Sequence, residues 1–285
     1  MSRIAYVNGR YVRHAEAAVH IEDRGYQFSD GVYEVCGIRN GRLMDEALHL
    51  ERLERSLAEL RIAIPVPLTA LRHILREVIR LNRMSNGLAY LQVTRGVAPR
   101  DHPFPALPVP PALVVTAKRL NEARIAAAVT TGVAVVTMPD IRWARRDIKS
   151  VSLLPNILAK QAAREVGAYE AWLVDPEGFV TEGASTNAWI VDRDGRVVTR
   201  PATSDILNGI TRHVLIEAAR VEGIEVVERP FTPAEAKSAR EAFISASSAI
   251  IIPVVRIDGE PVGNTEPGSV TLRLREAYAR VSCLT

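Results

Sequence analysis

"YEAWLVDPEGFVTEGASTNAWIVDRDGRVVTR", Tyr169 to Arg200, holds three strand-like runs separated by the turn signals Asp175-Pro176-Glu177-Gly178 and Asp192-Arg193-Asp194-Gly195. Connections this short join antiparallel neighbours, because a parallel pair needs a crossover of about a dozen residues or more. The stretch therefore predicts an antiparallel meander. On either side of it lie helix patterns: "NILAKQAAREVG", ended by Gly167, and "ITRHVLIEAARVEG", ended by Gly223. Further strand signals come from "GVAVVTM", "IEVVERP" and "AFISASSAIIIPVV". "TPAEAKSA" predicts a short helix, with Thr232 and Glu235 at capping-box spacing and Pro233 at its first position; "VTLRLREAYARV" predicts the last helix.

The first part of the chain has the same mixture. Asn8-Gly9 and Asn40-Gly41 are type I′ hairpin signals. "DEALHLERLERSLAELRI" follows, with Asp45 as its N-cap and Leu53, Leu57 and Leu60 at helical spacing; "LTALRHILREVIRL" repeats the pattern with Leu71, Leu75 and Val78. Two strands, "GLAYLQVTRG" and "PALVVTAK", flank the proline-stiffened loop "VAPRDHPFPALPVPP". Polar residues in "KRLNEARIA" interrupt the strand pattern and mark a linker. The expected architecture is α+β in two domains, residues 1–120 and 121–285, with mostly antiparallel sheets and flanking helices.

Composition narrows the class of function. Charged residues make up 24% of 285, and the net charge is only +3, with arginines interleaved among glutamates; that pattern shows no nucleic-acid footprint and better suits a small anionic ligand. No apolar run reaches the ~20 residues of a membrane span. Cys36 and Cys283 are too few for a disulfide framework, which favours a reducing cytoplasm.

Seven features could carry chemistry, and each alone has an ordinary structural explanation. Lys149, in "RRDIKSVSLLPN", stands just ahead of a helix pattern and is either a solvated charge or a nucleophile. Glu182, in "TEGASTN", closes a strand beside small residues. "ILNGITR" puts Gly209 ahead of Ile210 and Thr211, a helix start whose free N–H groups suit an anion. "SASSA", Ser245 to Ala249, offers hydroxyls, and Arg52 sits beside core-facing Leu53. Arg100 and His102, two residues apart in the proline-rich loop, project to one side if the segment is extended and could share a carboxylate. Tyr33 shares a strand face with Val35. Together these supply a lysine, a carboxylate, an anion cradle and a carboxylate trap, the parts of a pyridoxal phosphate site.

On those residues the chain resembles the fold-type IV pyridoxal phosphate aminotransferases, and within them the D-amino-acid branch. The family signature runs through Glu182, Ser185, Asn187, Val197, Thr199, Gly209, Ile210 and Arg212, and "EDRGYQFSDGVYEV", "YLQVTRGVAPRDH" and "DIRWARRDIKS" follow in the family's order. The resemblance implies that Lys149 holds pyridoxal 5′-phosphate as a Schiff base and that Glu182 pairs with its pyridine nitrogen. It likewise implies that Arg52, Ile210, Thr211 and Ser247 hold the phosphate, with Ser185 and Leu207 also at the cofactor. Tyr33, Arg100 and His102 would bind the substrate carboxylate, and Arg142 would support the cofactor's carboxylate partner. The substrates implied are D-amino acids and 2-oxo acids, in a homodimer with shared active sites. Branched-chain L-amino-acid and (R)-amine aminotransferases share the fold and are the alternatives. Two departures stand out: Trp189 replaces the usual Phe or Tyr, and Ala246 replaces a frequent hydroxyl residue.

Overall fold

The structure, a computed structural model, describes residues 3–282; Cys283 lies outside them. It divides into two units, one of residues up to Leu120 together with Ile148–Ser152, the other of Asn121–Asp147 and the chain from Leu153 onward.

The first unit begins with a hairpin of β1 (Ile4–Val7) and β2 (Arg10–Arg13), turned by Asn8 and Gly9 at φ +44° and +93°. Both values lie in the left-handed region that a type I′ turn requires. Next comes a short helix absent from the sequence pattern, α1 (Arg24–Phe28), nucleated by Asp23, whose Oδ1 accepts from the N–H of Gly25 at 2.8 Å and of Tyr26 at 3.4 Å. A second Asn-Gly turn joins β3 (Gly31–Arg39) to β4 (Arg42–Leu43). Helices α2 (Glu46–Glu59) and α3 (Leu68–Leu81) follow, then β5 (Gly87–Thr94) and β6 (Ala112–Lys118). The six strands form one antiparallel sheet in the order β2-β1-β6-β5-β3-β4. Its core packs Val32, Leu91, Val93 and Val115 with Leu53, Leu57, Leu71, Leu75 and Val78 of the two helices. Asp45 occupies the N-cap position of α2, but at φ +52° and without a side-chain capping bond, so that expectation fails in detail.

The units divide within the segment expected as a linker, between Leu120 and Asn121, but from Glu122 that segment is already helix α4 (Glu122–Thr131) of the second unit, started by Asn121, whose Oδ1 accepts from Arg124 N at 2.9 Å. Its alanines are strong helix formers, and this outweighs the polar interruption. The unit continues through β7 (Val133–Pro139), α5 (Leu154–Glu165), β8 (Glu170–Val174), β9 (Val180–Gly183), β10 (Asn187–Val191), β11 (Val197–Thr199), α6 (Ile210–Val221) and β12 (Val226–Glu228). It ends with α7 (Pro233–Lys237), β13 (Glu241–Ala246), β14 (Ile250–Ile257), β15 (Glu260–Pro261) and α8 (Ser269–Val281). The strand order is β12-β11-β10-β13-β14-β7-β8-β9, with β15 on β14.

Two expectations change here. The stretch 169–200 contains four strands, because Ala184–Thr186 turn the chain between β9 and β10, with Gly183 N bonded to Thr186 O at 2.7 Å. No single meander results: β9 ends the sheet and β10 lies on its far side in the order, so a three-residue connection requires the sheet to curl. "AFISASSAIIIPVV" likewise splits into β13 and β14 around Ser247–Ala249. The sheets are mostly antiparallel, as expected, but three strand pairs of this one are parallel, β7 with β8, β14 with β7, and β11 with β12. α5 and α6 are the crossovers for two of them. α7 forms as expected, with Thr232 Oγ1 accepting from Glu235 N at 3.1 Å.

Candidate functional site

In the first unit, Lys149 is fixed by backbone pairing. Tyr33 N donates to Lys149 O at 3.0 Å, Val151 N donates to Gly31 O at 3.1 Å, and Ser150 bridges Val32, so residues 149–151 extend the edge of β3. Ile148 enters the core beside it. The ammonium of Lys149 lies 4.2 Å from the ring centroid of Tyr33, and Tyr33 stacks on Tyr90 at 5.6 Å. Burial, then the neighbouring Tyr33, push the Tyr90 phenol up to about 12.

Next along β3, Glu34 points the other way, into the core with no exposed surface. It accepts from Arg52 Nε at 2.7 Å and Nη2 at 2.8 Å, and its Oε2 lies 2.7 Å from His49 Nδ1. Arg52, expected at a phosphate, is thus held bidentately by a carboxylate the sequence reading did not single out. The signal was available: Glu34 alternates with Val32 and Cys36, so strand period alone puts a charge on the inward face. Burial opposes its ionisation, but the charge and hydrogen bonds of Arg52 outweigh that and hold the carboxyl at about 2.

Glu34→Gln is expected to cost about 3 kcal/mol at neutral pH in denaturant unfolding, because it leaves Arg52 buried without its counter-charge. A carboxyl that titrates at about 2 in the fold and at 4.5 unfolded contributes its full stabilisation above pH 4.5 and loses it as pH falls toward 2. The two proteins should therefore converge in stability across that window. A gap as wide at pH 3 as at pH 7 contradicts this account.

Arg100 and His102 are exposed, yet the loop brings them to one ring. Arg100 Cζ lies 4.6 Å from the centroid of Phe28, and the His102 imidazole lies 5.5 Å from the same ring. Arg100 has no carboxylate partner among the described residues.

In the second unit, Glu182 is the penultimate residue of β9 and is 4% exposed. Its Oε1 accepts from Arg142 Nη1 at 2.5 Å and from Leu207 N at 3.1 Å; its Oε2 accepts from Asn187 Nδ2 at 3.1 Å. Arg142 is itself fixed to Asp140 by Nε at 3.0 Å and Nη2 at 2.8 Å. Burial disfavours the Arg142 charge, and its bonds to Asp140 and the field of Glu182 more than restore it. Asn187 also donates to Leu207 O at 3.0 Å, and a Cβ on Gly209 would collide with Asn187 Oδ1, so glycine is required there by close approach. Asn187 lies within the signature, where spacing alone assigns it no role; the structure makes it the strut between Glu182 and the Leu207–Gly209 turn.

That turn starts α6, whose N-cap Gly209 supplies no side-chain bond. The first N–H groups of a helix lack intrahelical acceptors, and Thr211 Oγ1 is buried there without a partner. Ser185 donates to Glu170 Oε2 at 2.6 Å, and Ser247 sits in the β13–β14 turn. Trp189 fits its position by donating Nε1–H to Ser245 Oγ at 2.9 Å and stacking on Phe243 at 5.4 Å. The described residues contain no group of side chains that could hold a metal ion, and no helix among them is long and apolar enough to cross a membrane.

A family model described as amino-transferase class IV matches residues 31–257. A D-alanine aminotransferase of Staphylococcus haemolyticus is 41% identical over 274 residues, 96% of this chain and 95% of that protein. One from Bacillus licheniformis is 41% identical over 270 residues, 95% and 94% of the two chains. Among solved structures, the branched-chain aminotransferase of the thermophilic archaeon Thermoproteus uzoniensis, solved with norvaline, is similar at a TM-score of 0.84 and 27% identity, over 98% of this chain and 94% of the other. The Escherichia coli branched-chain amino acid aminotransferase is similar at 0.86 and 26%, over 99% and 95%.

Proposed function

The chain belongs to the amino-transferase class IV family, and from that premise we propose that it transfers an amino group between a D-amino acid of the D-alanine or D-glutamate type and a 2-oxo acid, using pyridoxal 5′-phosphate. The observation that carries the choice of a D-amino acid is Arg100 and His102 meeting at Phe28. A guanidinium without a carboxylate partner, with an imidazole at the same aromatic ring, has the donors that an α-carboxylate needs. The 41% identity to D-alanine aminotransferases supports the same choice.

The residues fit the cofactor. A buried hydroxyl without a partner at the bare start of α6 suits a phosphate, and a carboxylate held by three donors suits a protonated ring nitrogen. Ile210, Thr211, Ser247 and Arg52 would hold the phosphate, Glu182 the ring nitrogen, with Ser185 and Leu207 beside the cofactor and Arg142 steadying Glu182. Lys149 would attach the cofactor and then, as a free amine, move the proton at the substrate's Cα. Bound pyridoxal phosphate supplies the sink for the electrons left on Cα. Tyr33, Arg100 and His102 fix the carboxylate, so they decide which α-hydrogen Lys149 meets. A homodimer with shared active sites and a cytoplasmic home complete the reading; Cys36 is buried and free, as a reducing compartment allows.

Incubation of the purified holoenzyme with D-alanine and 2-oxoglutarate should yield pyruvate at least about tenfold faster than L-leucine yields its 2-oxo acid. Faster turnover of L-leucine, or of an aryl amine, overturns the assignment in favour of a neighbouring specificity.

A further inference from the structure

Arg24 is 3% exposed at the start of α1, and a charge buried to that degree must find partners for its donors. It finds them in two places. Nε donates to Asp30 Oδ2 at 2.9 Å, while Nη1 donates to Asp101 O at 2.6 Å and Nη2 to His102 O at 3.1 Å. Its guanidinium also lies 4.8 Å from the centroid of Phe28, the ring that Arg100 and His102 approach. Asp30 holds a second arginine, Arg95, through Nε at 2.7 Å and Nη2 at 2.9 Å, and Arg95 Cζ lies 3.7 Å from the centroid of Phe104. One carboxylate thus orients two arginines that grip the loop at residues 101, 102 and 104.

We infer that Arg24 is a positioning residue of this loop, fixing the backbone that presents Arg100 and His102 to an α-carboxylate. The inference rests on the reading of those two residues as the carboxylate receptor. Arg24 acts on backbone carbonyls, so it sets where the loop's Cα atoms lie and leaves the two side chains free for a ligand. Pro99 and Pro103 stiffen the segment by fixing φ but donate no N–H to the rest of the fold. The clamp needs a planar fork with several donors at fixed angles. A lysine keeps the charge near Asp30 but cannot span both carbonyls.

The test uses holoenzymes carrying Arg24→Lys, Phe28→Leu and Arg100→Ala, assayed with D-alanine and 2-oxoglutarate, with bound-cofactor absorbance as a second readout. Arg24→Lys should raise the KM for D-alanine about 10–100-fold with kcat changed far less and cofactor absorbance unchanged. A merely structural role reduces the active fraction, which lowers kcat and leaves KM alone; that result overturns the inference. Phe28 is only partly buried, so Phe28→Leu keeps the question open to measurement if Arg24→Lys does not fold, and the same KM-selective loss is expected. Arg100→Ala separates the two levels of the argument. An unchanged KM in Arg100→Ala overturns the carboxylate reading and the inference with it. A raised KM there, with none in the other two variants, overturns the inference alone.

Discussion

Lys149→Ala is expected to lower transamination on the order of 10⁴-fold or more while leaving the fold intact. The backbone of residue 149 is held by the bonds of Tyr33 and Val151 to and from β3, and Ile148 and Ser150 are buried on either side, none of which requires the lysine side chain. What the substitution removes is an ammonium 4.2 Å from the centroid of the Tyr33 ring, a contact of about 1 kcal/mol. Lost activity with an unchanged thermal transition therefore cannot be assigned to unfolding. The chain has four lysines, Lys118, Lys149, Lys160 and Lys237. Lys160 is spoken for by Tyr169 O at 2.7 Å and Glu170 at 3.1 Å, and Lys237 by Glu260 at 2.8 Å and Asp258 at 3.2 Å. Borohydride reduction of the wild-type holoenzyme followed by peptide mapping should label the peptide of Lys149. Label on another lysine, or near wild-type turnover by Lys149→Ala, refutes the assignment.

How far the sequence leads is visible at particular residues. Both Asn-Gly hairpins and the amphipathic helices α2, α3, α5, α6 and α8 were legible, because turn chemistry and a 3.6-residue period are local properties. The mixed sheet was not, since β14 pairs with β7 across more than a hundred residues and no local pattern records that choice. At the site, Glu182 and Gly209 could be picked out by motif, but the strut between them, Asn187, depends on where β9, β10 and the Leu207 turn meet in space. Arg24 was invisible for the same reason. An arginine opening a five-residue helix looks solvated until the loop seventy-seven residues later folds over it.

Glu182→Gln is the second large effect, and here the geometry predicts trouble for a nearly isosteric change. The amide oxygen can take the place of Oε1 and accept from Arg142 and Leu207. Its NH₂ group then faces Asn187 Nδ2, donor against donor. Rotating the Asn187 amide presents an acceptor to the glutamine but turns Oδ1 onto Leu207 O, which now accepts from Nδ2 at 3.0 Å. Either arrangement leaves one buried group unsatisfied, at about 1–3 kcal/mol. The functional loss should be larger than the structural one. On the proposed assignment a neutral amide would not keep the cofactor's ring nitrogen protonated, so kcat should fall about 10²–10³-fold with the KM for D-alanine little changed, because Tyr33, Arg100 and His102, the residues proposed for the substrate carboxylate, are untouched. Glu182→Asp retains the charge on a shorter arm and should fall between the two. If Glu182→Gln keeps kcat within a few-fold of wild type while Glu182→Asp does not, position matters more than charge and the assignment of Glu182 to the ring nitrogen is wrong.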